Sequence, residues 1–575
     1  MIFPSLIDYY NRLSDTGDVP PFGFSIEDIG FVIDLTKEGK LVGDAEDLRT
    51  KIKANVYEYM PSVVPYSNRV NVRSSGAAKV PNFMVDKADY VFGMSGSSFK
   101  KVHHESFKAL IANVCFESED PGFLAVMSFL NNWEPKKSLN LTFWEEISGA
   151  HGKWVAFRLE GERCFVHERP AIKKCWSEYI KKEKYREGFS FVEGSILPLQ
   201  LQYAQFKFGS GASLVSFNES AYESYGKKRG ENAPISMDAE FKSSTALKYL
   251  FRSKTQRLKV GDATTIFWTE RESPIETFMG QVLNPQDNAT DNIPVQKFLK
   301  AARNGKKPQN ISYDGDIKFY ILGLSLNKAR LAVRFWHVCS VDQLKDRIGR
   351  YFNDLEMERT SERDIQFPGI WHLLKEPARE TKAISPLLGG ALMRSILEGG
   401  NYPQNLFNGV LNRIRADQSK KNKQTGKSIP NVNYLRASVL KAVLTRNFNL
   451  EVPMALDPDN RDTAYLLGRL FAVLEKAQKD ALGETINATI KDRFYGAASA
   501  TPASVFPRLL RLAQHHIEKA EYGYVSERRI AEVMDNIKEF PDHMNMKQQG
   551  LFAIAYYQQR NNIYKTKETI EKGDE

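Results

Sequence analysis

The run Gly426-Lys427-Ser428 has the ending of a phosphate-cradling loop, in which glycine backbone N–H groups and one lysine hold the phosphates. Lys421, however, stands where the first glycine is required. His103-His104 and His515-His516 are adjacent pairs. Neighbours on a helix point about 100° apart and rarely ligate one metal together, so histidines facing solvent or lining a groove are the reading they support. Glu145-Glu146 falls at the start of a predicted helix, where unpaired N–H groups favour carboxylates. The HExxH, GxSxG and dinucleotide-binding glycine patterns do not occur. The sequence thus nominates no catalytic residue, no metal ligand and no cofactor.

Positive charge is the chemistry that the sequence does concentrate. Between Asn405 and Leu450 stand Arg413, Arg415, Lys420, Lys421, Lys423, Lys427, Arg436, Lys441 and Arg446 against the single acid Asp417, a local charge of +8 in a chain whose total is +10. Such a segment points to a polyanion, whose condensed counterions are released on binding. Farther on, Arg508, Arg511, His515 and Lys519 are spaced to share one helical face, with Leu509, Leu510, Leu512, Ala513 and Ile517 supplying the buried side. That face suits a phosphate backbone; the solvated face of a soluble bundle is the alternative.

Two loops of small residues add to this. SNRVNVRSSGAAKVPN (67–82) combines Arg69, Arg73 and Lys79 with Ser74, Ser75 and Gly76, which let the backbone approach another molecule closely. Lys79 and Asn82 carry donors for phosphates or base edges. Gly209, Ser210, Gly211 and Ser213 form a similar loop, and Lys227, Lys228 and Arg229 make a basic turn soon after. An ordinary surface loop is the competing reading of each.

The elements that must position these residues follow from apolar spacing. Residues 3–13 read as a short amphipathic helix, and FVIDL (31–35) with LVG (41–43) as a hairpin. FMVDKADYVFG (83–93) reads as strand, and helices are expected at 103–114 and 123–133. From about 154 to 340 short aromatic or branched runs (WVAFRL, ERCFVHE, ASLVSF, TTIFW, IKFYILGLSL, ARLAVRFWHV) read as strands, interrupted by helix at 171–182 and 244–252, with a polar loop at 284–292. After Asp354 the pattern is helical, with SKKNKQTGKS as a polar basic loop between helices. The fold class is therefore α+β, a mixed N-terminal portion rich in short strands followed by an all-α C-terminal bundle. Four regions are expected: 1–150, 151–355, 356–453 and 454–575.

Bulk properties are compatible with this. At 575 residues the chain is too long for one core, and 42% hydrophobic content supplies apolar material for several. The N-terminus lacks a basic leader, and no apolar run is long enough to span a bilayer, so no membrane is expected. Cysteines at 115, 164, 175 and 339 have no CxxC spacing, and free buried thiols in a reducing cytoplasm are the expectation.

Several long segments resemble one family: GASLVSFNESAYESYGKKRGENAPIS (211–236), FYILGLSLNKARLAVRFWHV (319–338), SPLLGGALMRSILEGGNYPQ (385–404), NYLRASVLKAVLTRN (433–447), AYLLGRLFAVLEKAQ (464–478), DRFYGAASATPASVFPRLLRLAQHH (492–516) and GLFAIAYYQQR (550–560). Their order and extent resemble the large subunit of the type I-C CRISPR Cascade complex. One departure lies at 189–194, where family members often carry a cysteine and this chain reads FSFVEG. The resemblance implies a non-catalytic subunit of a prokaryotic cytoplasmic ribonucleoprotein. Its partners would be crRNA, target double-stranded DNA and the displaced single strand, Cascade backbone subunits, the subunit that processes and holds the crRNA 5′ handle, and small subunits. It would recognise the PAM, promote duplex opening and R-loop formation, and help recruit a helicase-nuclease. It also implies that the C-terminal portion can be made separately as a small subunit, for which Met454 is a candidate start. A metal-dependent nuclease and a purely structural adaptor remain as alternatives.

Overall fold

The computed structural model describes the chain apart from residues 54–55, 67–79, 150–151, 183–184, 207–210, 218, 286–292, 309–312, 328–329, 362, 423, 425, 427, 484–485, 487 and 572–575, and gives the backbone alone for 566–571. It divides into two compact units, Met1–Arg252 with Leu326–Ala332, and Ser253–Ser325 with Val333–Glu575.

The first unit is built on the strand Phe24–Leu35, which pairs antiparallel with Leu41–Asp47 and Met60–Pro65 and parallel with Trp154–Leu159. Side chains alternate across a strand, so Phe31, Ile33 and Leu35 enter one core with Phe107, Phe129, Phe157 and Trp176. A register shift between Ile29 and Phe31 breaks the alternation, so Ile29 joins Val32 in a smaller core with Val64, Trp154 and Ala156. A strand covered on both faces reads as a nearly continuous apolar run, as IGFVIDL does. The expected hairpin forms with Leu35 opposite Leu41. The expected helices are present as Ile2–Asp15, Lys101–Val114, Pro121–Asn132 and Pro170–Lys181. Asp120 caps the third by accepting from Gly122 N–H at 2.8 Å and Phe123 N–H at 3.2 Å.

Three predicted strands are corrected. FMVDKADYVFG contributes one bridge, Asp86 to Val155, and one helical turn, Ala88–Val91. Phe83, Met84 and Val85 are fully buried, Met84 takes φ of +63°, and Phe83 stacks on Trp176 at 5.2 Å, so the apolar run plugs a core instead of alternating across a sheet. In ERCFVHE only Phe165 bridges, to Arg158, before the 3₁₀ turn Val166–Glu168. ASLVSF supplies only Ala212–Ser213.

In the second unit Ala263–Thr269 lies between Arg257–Val260 and Lys318–Asn327, with Arg330–Ser340 beyond. The Trp268, Tyr320 and Trp336 rings stack across neighbouring strands at 5.4 and 5.9 Å. Ser340 and Gln343 form a reciprocal capping box that starts the helix Val341–Leu355. The chain is then helical: Pro386–Glu398, Gln404–Ala416, Tyr434–Phe448, Thr463–Leu482, Ile490–Ala500, Pro502–Lys519, Gly523–Met534 and Met546–Glu571. Thr463–Leu482 is the central member, with every residue from Ala464 to Ala477 buried. At Gly468 it comes so close to Met546–Glu571 that a Cβ would meet the Phe552 carbonyl oxygen at 2.2 Å. The fold is α+β with an all-helical C-terminal region. A single core runs from Val260 to Tyr557, so the stretch around Met454 separates helices that share it.

Candidate nucleic-acid interface

The helix Pro502–Lys519 sets its apolar side inward at Val505, Phe506, Leu509 and Ala513. Leu510, Leu512 and Ile517 flank that stripe half-buried, short of the full burial expected. Arg508, Arg511, His515 and Lys519 are all exposed, as their spacing predicts. The Arg508 guanidinium lies 5.4 Å from the centroid of the Phe494 ring, which places the start of the basic face beside the helix Ile490–Ala500.

The same helix holds the basic loop. The Gly496 N–H donates to Gln418 Oε1 at 2.9 Å at one stem. At the other, Lys491 Nζ donates to Ser428 Oγ at 2.7 Å and to the Ile429 carbonyl at 3.0 Å. Burial pushes the Lys491 ammonium below its ordinary pKa, against the pull of Asp492. Ile490–Ala500 therefore joins two basic segments that are distant in sequence, and it adds the exposed Arg493. No spacing signal marks Arg493, a single cation between Asp492 and Phe494; only the fold brings it to this surface.

The charge count of 405–450 is corrected by what those residues touch. Arg413 and Arg436 both pair with Asp417, and Arg436 Nε also donates to Glu376 at 2.9 Å. Burial opposes ionisation of Asp417, but hydrogen bonds from the two arginines outweigh it and hold the carboxyl below its usual pKa. Lys441 Nζ donates to the carbonyls of Asn353 and Asp354, each at 3.1 Å. Arg446 pairs with Asp354 and lies 4.2 Å from the centroid of Tyr402. These four cations build the bundle and leave no +8 patch at its surface. Arg415 is half-buried, Lys420 and Lys421 are exposed, and Lys423 and Lys427 lie outside the described residues.

In the first unit Arg69, Arg73, Ser74, Ser75, Gly76 and Lys79 lie outside the described residues, as do Gly209 and Ser210. Asn82, expected on a loop with its side chain free for base edges, is 1% exposed, and its backbone N–H donates to Asp86 Oδ2 at 2.7 Å. Its placement is corrected to the interior. Gly211 takes φ of +87°, and Ser213 is buried in a short strand that pairs with Gln205 on one side and Arg330 on the other, so Ser213 is corrected from an open loop to a paired strand. Lys227, Lys228 and Arg229 are exposed on a well-tied turn. Asn232 Nδ2 donates to the carbonyls of Lys227 and Arg229 at 3.0 and 3.1 Å, and Tyr225, Gly226 and Arg229 all have positive φ.

The remaining candidates are simpler. His104 is buried with Nδ1 3.0 Å from the Tyr90 carbonyl oxygen, which corrects its solvent-facing assignment, and His103 packs edge-on to Tyr90. Glu145 and Glu146 occupy the first turn of Trp144–Ser148, as expected. Cys115 and Cys339 are buried, but Cys164 is exposed and Cys175 half-buried, so the expectation of buried thiols holds for two of the four. Among the described residues no three His, Cys, Asp or Glu side chains group closely enough to hold a metal ion, and no helix is long and apolar enough to cross a membrane.

Two units that both combine strands and helices, the second exposing a basic helix face and a tied basic loop, define a basic α+β protein. The family model for CRISPR-associated protein (Cas_Csd1) matches residues 6–564, and the chain belongs to this family, the large subunit of type I-C Cascade. Membership places it among the components of a crRNA-containing complex. No curated protein matches the chain.

Proposed function

We propose that this subunit recognises the PAM in double-stranded DNA, promotes duplex opening and R-loop formation, and helps recruit the helicase-nuclease, without itself being catalytic. Its bundle is the part that holds the displaced strand. The observation that carries the reading is the basic surface organised by Ile490–Ala500: Lys420, Lys421 and Arg493 together with Arg508, Arg511, His515 and Lys519. Phosphate neutralisation needs exposed cations in sequence-independent array, and this surface supplies them on two helices and a tied loop. The turn Lys227–Arg229 is the exposed candidate for duplex contact in the first unit; Arg69, Arg73 and Lys79, outside the described residues, are candidates from the sequence. The proposed regions are 1–150 with the candidate PAM-sensing loop, 151–355 as the strand-rich region, 356–453 with the basic loop and 454–575 as the small-subunit-like bundle, with Met454 as the internal start. The setting is the prokaryotic cytoplasm.

The test is the salt dependence of single-strand binding by the full chain. R508A/R511A/K519A should lower the slope of log K against log salt by about 2, at about 0.7 per lost phosphate contact. An unchanged slope sinks the assignment of this face and favours a purely structural adaptor. Cleavage of plasmid that depends on magnesium or manganese would instead support the nuclease alternative.

A further inference from the structure

The first unit contains a cavity of about 520 Å³ that none of the reading above uses. It is lined by Gly39, Lys40, Leu41, Gly43 and Asp44 on one side and by Phe129, Asn132, Trp133, Lys137, Asn140 and Leu141 on the other. The size suits one small molecule. Its walls are tied to each other at both ends. Ser128 Oγ donates to the Glu38 carbonyl at 2.6 Å, and Thr142 N–H donates to Asp44 Oδ2 at 2.9 Å. Gly39 has φ of +81°, and a Cβ there would come within 2.5 Å of the Ala125 carbonyl oxygen, so the turn can seat against the helix Pro121–Asn132 only as glycine. The cavity is therefore held open by the fold.

Its lining sorts by chemistry. Phe129 and Leu141 are buried and Leu41 half-buried, making an apolar floor. The Trp133 indole is fixed by its N–H to the Phe92 carbonyl at 3.2 Å and by the Phe129 ring at 4.9 Å. Asn132 and Asn140 stand exposed at the rim and bring amide donors and acceptors; Asn132 spends one donor on the Ser128 carbonyl at 3.0 Å. Lys40 and Lys137 are exposed at the mouth, and among the described residues Lys137 is bound only by an exposed pair with Glu134, which a phosphate can displace. The one carboxylate in the lining, Asp44, is occupied by the N–H groups of Ala45 and Thr142. A flat apolar seat, amides at its edge and ammonium groups at its mouth match a nucleobase, its edge and its phosphate.

We propose that this cavity is the seat of one unpaired nucleotide, extruded from an RNA or DNA strand that the subunit holds. The inference rests on the reading of the chain as a nucleic-acid-binding subunit, and it adds a base-accepting site to surfaces that otherwise contact phosphates. A base within a duplex is stacked on both sides and cannot enter, so the occupant belongs to a single strand.

The experiment is calorimetric titration of the full chain with the nucleoside and deoxynucleoside 5′-monophosphates, followed by photo-crosslinking of 4-thiouridine- and 4-thiothymidine-substituted single strands with mapping of the adduct. Saturable binding is expected, with an adduct on or beside Trp133. Asn132→Trp, which fills the mouth from an exposed rim position, and Lys40→Glu/Lys137→Glu should each lower monophosphate affinity about ten-fold. Thermal melts verify folding, and the lysine variant, changed only at exposed positions, carries the test if N132W does not fold. The ribo and deoxy arms tell an RNA source from a DNA source. R508A/R511A/K519A should leave monophosphate binding intact, which separates failure of this site from failure of the basic surface. Absence of saturable monophosphate binding overturns the proposal. So does affinity that both cavity variants leave unchanged, or loss in them of a protein contact in place of nucleotide binding.

Discussion

The helices Tyr434–Phe448 and Pro502–Lys519 carry similar cations at similar density and use them in opposite ways. In the first, Arg436, Lys441 and Arg446 point inward to Asp417, Glu376, Asp354 and backbone carbonyls. In the second, Arg508, Arg511, His515 and Lys519 point outward on one face. A charge count treats the two alike. What separates them is what surrounds each cation: the stretch YLRASVLKAVLTRNF is apolar on every side, and a helix apolar all round is buried whatever cations it contains. Pro502–Lys519 confines its apolar residues to one stripe, which leaves the opposite face in water.

The comparison can be broken at several points. Arg446→Ala should have the largest effect, about 3–5 kcal/mol of lost stability, because it strands the Asp354 carboxylate in the interior. Denaturant unfolding reads this, and the salt slope of DNA binding by the fraction still folded should not move. An inner cation that changed the slope would erase the distinction.

A second effect belongs to His167, wholly buried behind Ser62 with Nε2 3.1 Å from its Oγ. Burial pushes its pKa down to about 3, with Lys173 adding to the shift. The unfolded chain binds this proton near pH 6.5 and the folded chain does not, so stability is full above that pH. It is lost as pH falls, by up to about 1.4 kcal/mol per pH unit, until the folded pKa is reached. His167→Gln should flatten this loss between pH 6.5 and 5, measured by denaturation at fixed salt.

Lys420→Ala/Lys421→Ala should change stability by less than about 0.5 kcal/mol, since both are exposed, yet lower the single-strand salt slope by about 1.4. The smallest effect is expected at Asn82, whose buried carboxamide atoms have no hydrogen-bond partner among the described residues. Asn82→Leu should leave stability within about 1 kcal/mol of the parent or raise it, with DNA affinity unchanged. A loss of affinity there without loss of stability would return Asn82 to the binding surface.

The bundle was readable in advance where its period was long. The stripe at 466, 467, 470, 471, 474, 477 and 481 predicts Thr463–Leu482, and the spacing of 508, 511, 515 and 519 predicts an exposed face that the structure shows. FMVDKADYVFG misled because a short apolar run fits a strand and a core plug equally well, and Met84 at positive φ settles for the plug. The inward turn of Arg436 and Arg446 was hidden because their partners, Glu376 and Asp354, lie far back in the sequence. The cavity at Trp133 was hidden for a related reason: its two walls come from a hairpin and a helix end that no local pattern connects.

Lys491 has a consequence for binding even though it lies inside the protein. By donating to Ser428 and Ile429 it fastens one stem of the basic loop, while Gln418 fastens the other to Gly496. The entropy of bringing the stems together is thus lost when the protein folds and not when a polyanion arrives. Lys491→Met should therefore weaken the grip of Lys420 and Lys421 on a strand without removing a single surface charge, chiefly through faster dissociation.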